Sequence, residues 1–160
     1  MEIPNGISSG SVSFINLVPS NATSHTQTRC TQFEKMTTPK EIYDTKRRNF
    51  VNKTKLHFEF LTSEFDFDEP NYTFSEQPNG TIITDKFEFN NSDKNLRITI
   101  SNAYHPVDYG FEINLTDLNT GAEEMIHHVL KENQDIEQSY LEKASEFLKT
   151  GYGQRLRRKH

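Results

Sequence analysis

The sequence has little cysteine and no long apolar run. Cys30 is the single cysteine among 160 residues. One thiol cannot form an intramolecular disulfide or a thiolate metal site, so the cysteine content does not indicate an oxidising compartment. No stretch approaches the about 20 apolar residues of a membrane-spanning helix, and the N-terminus lacks the charged start and apolar run of a secretory signal. We therefore expect a cytoplasmic protein without a membrane span.

Positive charge and the common catalytic motifs are also scarce. The net charge is -5, which argues against a dedicated nucleic-acid binder because such proteins carry a basic surface for phosphates. The chain contains no Gly-rich phosphate loop, no Gly-x-Ser-x-Gly elbow and no His-Glu-x-x-His helix motif. No cofactor and no metal is expected, while enzymes outside these motif classes are not excluded.

The hydrophobic fraction of 32% is low for a globular chain, and the hydrophobic residues are concentrated after Met36. Residues 1–36 are mostly Ser, Asn, Thr, Gly and Gln, which predicts a flexible or disordered arm. The arm is alternatively an export leader or a misassigned start. Residues 37–152 are predicted to form one domain, and residues 153–160 a basic tail.

The first element of the predicted domain is a helix. Thr38 before Pro39 is typical of a helix N-cap followed by proline at the first position. A competing pattern makes residues 55–61 a strand, because apolar and polar side chains alternate there. The helix, ending near Thr62, is favoured by apolar residues that recur at spacings near three, four and seven: Tyr43, Phe50, Val51, Phe58, Leu61 and Phe65.

Four segments then alternate apolar and polar side chains, which predicts strands with one buried face. Turn-forming residues at Pro78-Asn79-Gly80 and Asn90-Asn91-Ser92-Asp93 indicate antiparallel pairing of consecutive strands. The result is a four-stranded meander. Its strands are 72–74, 80–89, 96–100 and 109–115, with 104–108 as a connection.

The last predicted element is a long C-terminal helix that follows Gly121, kinks near Asn133 and stops near Gly151. It is expected to cover the apolar face of the sheet, which makes the fold class α+β. One apolar stripe defines it: Ile126, Val129, Leu130, Ile136, Tyr140, Leu141, Ala144, Phe147 and Leu148.

Two clusters carry side chains suited to chemistry. His105, Asp108 and Tyr109 lie in a predicted loop and are weak catalytic candidates, the alternative being a turn fixed by Pro106. A helix would also place Glu124 and His128 on one face, where they could share a metal. Two ligands are not a metal site, so none is assigned.

Two charged segments suggest binding instead. Glu64, Asp66, Asp68 and Glu69 form a candidate surface for another protein, against the alternative of a solvated loop. The tail carries Arg155, Arg157, Arg158 and Lys159, the only signal for nucleic acid or another acidic partner, although a solvated tail explains it too.

The favoured hypothesis is therefore a small protein-binding or inhibitory protein with an acidic surface. Its general build is like that of bacterial or phage immunity proteins, an analogy at the level of fold alone. An enzyme or ligand-binding protein with a pocket between sheet and helix is the first alternative. A secreted effector with an N-terminal export signal is the second.

Overall fold

The computed structural model describes residues 38–105 and 110–157. The predicted N-terminal arm lies outside these residues, and the predicted division into arm, domain and tail stays a prediction. The elements, in chain order, are α1 Pro39–His57, α2 Phe60–Phe65, β1 Asn71–Glu76, β2 Ile82–Asn91, β3 Leu96–Ala103, β4 Phe111–Asp117, β5 Glu123–Val129, a 3₁₀ turn Lys131–Asn133 and α3 Tyr140–Arg157.

The predicted first helix is confirmed, including its start. Thr38 accepts a hydrogen bond from the Glu41 backbone while the Glu41 carboxylate accepts one from the Thr38 backbone, so a reciprocal capping box begins α1. The helix ends at His57, and α2 begins three residues later with Phe60. The strand alternative for residues 55–61 is therefore wrong, because Phe58, Phe60 and Leu61 enter the core from α2 and from the turn before it, while Leu56 of α1 is exposed.

The sheet is an antiparallel meander in the order β1-β2-β3-β4-β5. Alternate side chains of β2, β3 and β4 are buried, so one sheet face is apolar and the other is polar. Helices α1 and α3 lie on the apolar face and complete one core. The largest fully buried side chains of this core are Phe50, Phe58, Phe65, Phe87, Phe89, Phe111, Leu61, Leu96, Ile98, Ile100, Ile113 and Leu115.

The sheet has five strands rather than the predicted four, because Glu123–Val129 is a strand and not the start of a helix. It pairs with β4 from Thr116 opposite Glu123 to Phe111 opposite Val129. The register shifts between Ile113 and Asn114, where a bulge breaks the pairing. A bulge also breaks the period-two pattern by which a strand is recognised in sequence, which left the helical spacing as the visible signal.

The predicted C-terminal helix is therefore shorter at its start, and it is longer at its end. It begins at Tyr140 and continues through Gly151 to Arg157, so the predicted stop near Gly151 is wrong. A second glycine, Gly153, is buried in the helix, and a Cβ built there would lie 3.7 Å from the Phe65 ring. The glycines therefore do not end the helix, and Gly153 is part of the contact between α3 and α2.

The segment that leads into α3 is held by α1. Lys46 and Asn49 donate hydrogen bonds to the backbone carbonyls of Gln134 and Ile136, at 3.3 and 3.0 Å. Lys53 donates to the next carbonyl, that of Glu137. One side of α1 thus holds the segment before α3 in place through hydrogen bonds. No helix in the described part of the chain is long and apolar enough to cross a membrane.

Gly110, the residue before β4, tests how tightly the chain packs against the end of β5 and the segment that leads into α3. Its φ is +97°, and an added Cβ would lie 2.7 Å from the Val129 carbonyl oxygen and 2.9 Å from Gln134 Nε2. Gly110→Ala is expected to lower the free energy of unfolding by about 3 kcal/mol through strain and overlap. Gly121→Ala is the control, since φ is +71° there but no atom lies within 4 Å. It should cost about 1 kcal/mol in urea unfolding; equal losses would contradict the packing described.

Candidate functional site

The predicted catalytic cluster is only partly within the described residues. His105 is half-buried near the end of β3, whereas Asp108 and Tyr109 lie outside the described ranges. The cluster therefore stays a prediction.

A buried carboxylate, Asp85 of β2, is the most connected polar group of the core, and the sequence analysis missed it. Arg47 of α1 donates to its Oδ1 at 2.9 Å and places Nε 2.8 Å from Oδ2. The Tyr72 hydroxyl donates to Oδ1 at 2.6 Å, and the Tyr104 hydroxyl donates to Oδ2 at 3.0 Å. Asp85 thus joins α1 to β1 and to the residue that follows β3. In the sequence, Asp85 is a charged residue two positions before Phe87 and four before Phe89, so strand alternation places it on the same buried face as these two residues.

The geometry makes the Asp85 cluster a structural clamp between α1 and the sheet. Oδ1 accepts hydrogen bonds from Arg47 and Tyr72, and Oδ2 accepts one from Tyr104 and lies 2.8 Å from Arg47 Nε as an ion pair. Burial, and then the Asp85 charge, raise the pKa of Tyr104. Burial and the hydrogen bond to Asp85 likewise raise the pKa of Tyr72. Both hydroxyls therefore stay protonated as donors to Asp85.

The four predicted partner-binding residues are all exposed. They alternate with Phe65 and Phe67, which are buried in the core, so the segment is anchored by its aromatic side chains while its carboxylates face water. Two of these acids have partners: Glu64 pairs with Lys149 at 2.5 Å, and Asp66 lies 3.5 Å from the buried Lys94 ammonium. Asp68 and Glu69 have no cationic partner among the described residues.

Two grooves meet beside this segment, and together we call them the acidic groove. The first, of about 540 Å³, is lined by Lys55, Glu59, Thr62, Ser63, Glu69, Pro70 and Phe89. The second, of about 480 Å³, is lined by Leu56, His57, Glu59, Phe60, Ser63, Glu64, Glu142, Ser145, Glu146 and Lys149. They share Glu59 and Ser63, so the surface is continuous from the end of α1 to the first turns of α3.

Unpaired carboxylates set the charge of the acidic groove. Glu59, Glu69, Glu142 and Glu146 are exposed and form no ion pair within the described residues, where Lys55 is the unpaired cation of the lining. Leu56 adds an apolar side chain that is 66% exposed. The sequence analysis found Glu64 and Glu69 but missed Glu142 and Glu146, because those residues come from a distant helix.

The two histidines of β5 do not form the predicted pair with Glu124. Register places Glu124 opposite the buried Leu115, on the helix side of the sheet, and His128 opposite Glu112 on the other side. Glu124 instead binds Arg155 at 2.6 Å, which lowers the Glu124 pKa. Within residues 38–105 and 110–157, no three His, Cys, Asp or Glu side chains form a group that could hold a metal ion.

Part of the predicted basic tail belongs to α3. Arg155 pairs with Glu124, and the Arg157 guanidinium lies 5.0 Å from the centroid of the Phe65 ring. Both side chains thus make contacts within the fold. Arg158 and Lys159 lie outside the described residues, so the tail as a whole stays a prediction.

Comparison with protein-family models, curated proteins and solved structures finds no match to this chain.

Replacing Asp85 tests the clamp. Asp85→Asn removes the charge that neutralises Arg47 and is expected to lower the free energy of unfolding by about 3 kcal/mol, because one partner of a largely buried ion pair is left alone. Glu88→Gln is a matched control on the opposite face of β2, where the carboxylate lies 3.2 Å from Lys86 at the surface. Its loss should stay below about 1 kcal/mol in denaturant unfolding. Similar losses for both variants would contradict the clamp.

His127 provides a test of α3 packing through pH. Its ring lies 5.2 Å from Phe147 of α3, and burial, with a smaller contribution from His128, lowers its pKa below 6.5. The unfolded chain binds a proton at His127 more readily than the folded chain does. The contribution of neutral His127 to folding stability is therefore complete above the pKa of the unfolded state, and it is lost as pH falls through the pKa of the folded state. His127→Phe should lose less stability than the wild type between about pH 7.5 and about pH 5.5.

His128→Gln is the control for this pH test, because His128 is exposed and supplies only the smaller cause. This variant should keep most of the wild-type pH dependence in urea titrations. An unchanged dependence in His127→Phe would show that His127 is not the group responsible.

Proposed function

We propose that this protein binds a basic partner protein through the acidic groove. The observation that carries the proposal is the convergence of four unpaired carboxylates from three chain segments: Glu59 between the two helices, Glu69 before β1, and Glu142 and Glu146 on α3. Carboxylates that gain nothing from internal ion pairs are the groups most available to an external cation. A long-range attraction of this kind accelerates association with a basic partner and aligns it.

The groove also has the mechanical properties of a binding site. Most of its lining residues come from helices, and two of them, Phe60 and Ser145, are buried. Exposed Leu56 supplies an apolar contact beside the charges, and burying a leucine side chain contributes about 2 kcal/mol. Charges on a rigid wall lose little conformational entropy on binding. An inhibitory role like that of an immunity protein is one form of this function, and a cytoplasmic location belongs to the same proposal.

The alternative of an enzyme with a pocket between sheet and helix has less support. The buried acid of that region, Asp85, already accepts three hydrogen bonds, from Arg47, Tyr72 and Tyr104. Asp108 and Tyr109 remain sequence-based candidates. The open acidic groove is thus the better supported of the two surfaces.

The proposal is tested by capture of a partner from an extract of the source organism with the full tagged chain. We expect one stoichiometric basic protein, with an affinity that falls as salt rises because exposed charges are screened. The variant Glu59→Lys/Glu142→Lys/Glu146→Lys should weaken binding at least about tenfold, since it replaces attraction by repulsion.

A control variant with the same change in net charge separates the effect of the groove from the effect of the overall charge. Asp93→Lys/Glu123→Lys/Glu132→Lys alters three exposed acids that do not line the groove, and should leave the affinity within about twofold of wild type. Circular dichroism verifies that both triple variants fold. A partner bound equally by both variants, or the absence of any captured partner, contradicts the proposal.

A further inference from the structure

The sheet has two edges, and they differ in how well they are protected. In the order β1-β2-β3-β4-β5, strands β1 and β5 each have one neighbour among the described strands. Along β5 the edge is broken by a bulge and begins with two acids, Glu123 and Glu124. Charges and bulges are the usual devices that prevent a strand edge from pairing with another chain.

The β1 edge lacks these devices over most of its length. Residues 71–75 are uncharged and pair regularly with β2, and the register shifts only between Ser75 and Glu76. Phe74 is 52% exposed in the middle of this stretch, with the Arg47 guanidinium 5.6 Å from the centroid of its ring. Among the described residues this strand edge is open, and an open edge with a half-exposed aromatic residue is a surface suited to strand addition, in which an extended segment continues the sheet.

A groove accompanies the open edge. It has a volume of about 370 Å³ and lies between α1 and β1, where Asp44, Arg48 and Asn52 of the helix face Tyr72 of the strand. This groove provides room for the side chains that an added strand would direct toward the helix side, because alternate residues of a strand point to the same face.

The open edge leads toward the acidic groove. Glu69 and Pro70 line the acidic groove and immediately precede Asn71, the first residue of β1. Lys55 continues the line of α1 that Arg48 and Asn52 begin, at the helical spacings of three and four, and Glu59 follows in the turn between α1 and α2. A segment that pairs with β1 therefore has one end beside Glu59 and Glu69, whose carboxylates have no cation within the described residues.

We propose that the partner contributes an extended segment that adds to β1 as a sixth, antiparallel strand and ends in lysine or arginine residues beside Glu59 and Glu69. The proposal rests on the proposed function and specifies its mode of recognition. Main-chain hydrogen bonds to residues 71–75 supply affinity, and the cations at the C-terminal end of the segment fix its direction. The antiparallel direction follows every pairing in the sheet.

The test uses two synthetic octapeptides and the full chain. The first is acetyl-Thr-Val-Thr-Val-Thr-Val-Lys-Lys-amide, and the second carries Glu-Glu in place of Lys-Lys. Titration followed by amide NMR is expected to show saturable shifts at residues 71–75 with the lysine peptide, together with slowed hydrogen exchange of the edge amides. The glutamate peptide should bind at least about tenfold more weakly, because its charges face carboxylates.

Two variants separate the edge from the acids. Thr73→Lys places a charge on the open edge and should abolish the shifts at residues 71–75, whereas Thr116→Lys on the same sheet face of the interior strand β4 should bind as wild type. Glu59→Lys/Glu69→Lys should weaken the lysine peptide at least about fivefold and remove its preference over the glutamate peptide. Circular dichroism verifies the fold of each variant.

The possible failures are distinguishable. Shifts confined to the acidic groove, or lysine-peptide binding that Thr73→Lys leaves intact, would overturn strand addition while leaving the proposed function in place. Absence of saturable binding by the lysine peptide would also overturn strand addition. Sedimentation of the chain alone gives the remaining outcome: a dimer dissolved by Thr73→Lys would assign the edge to a second copy and overturn the proposal.

Discussion

The structure depends on covering one apolar face of a five-stranded sheet. The hydrophobic effect favours helices over that face, and both α1 and α3 lie there. On the β1 side, the charged Arg47 of α1 lies at the edge of this core. The buried carboxylate of Asp85 neutralises its guanidinium, and the hydroxyls of Tyr72 and Tyr104 donate further hydrogen bonds to Asp85. A buried ion pair of this kind, with hydrogen bonds to both carboxylate oxygens, positions the helix.

The same packing creates the acidic groove. Burial of Phe60 and Phe65 fixes α2 against α3, and this contact brings Glu142 and Glu146 to the side of Glu59. Several cations of the fold are meanwhile used internally: Lys46 and Lys53 of α1 bind the segment before α3, Arg47 of α1 pairs with Asp85, and Lys149 pairs with Glu64. Among the described residues, Lys149 of the groove lining is thus engaged by Glu64, which leaves Lys55 as the unpaired lysine beside the unpaired carboxylates.

Local signals predicted much of the fold. The capping residues at Thr38 and Pro39 located the first helix, and strict alternation located β2 to β4, because both signals lie within a few residues of each other. The fifth strand was not predicted, because the bulge opposite Ile113 removes the alternation. The end of α3 was predicted wrongly, because the glycines lie within the helix and Gly153 makes a tertiary contact there. The site was predicted in part: Glu64 and Glu69 are local in sequence, whereas Glu142 becomes their neighbour only through folding. Asp85 is recognisable only once its burial is known.

The most direct test of the acidic groove as the binding surface is hydrogen–deuterium exchange of the full chain with its captured partner. The account predicts protection in residues 55–70 and in the first turns of α3, extending into residues 71–75 if the partner adds a strand. The polar face of the sheet, for example around Thr99 and Asn114, should exchange as in the free chain. Protection confined to that polar face, or to the segment between β5 and α3, would contradict the account.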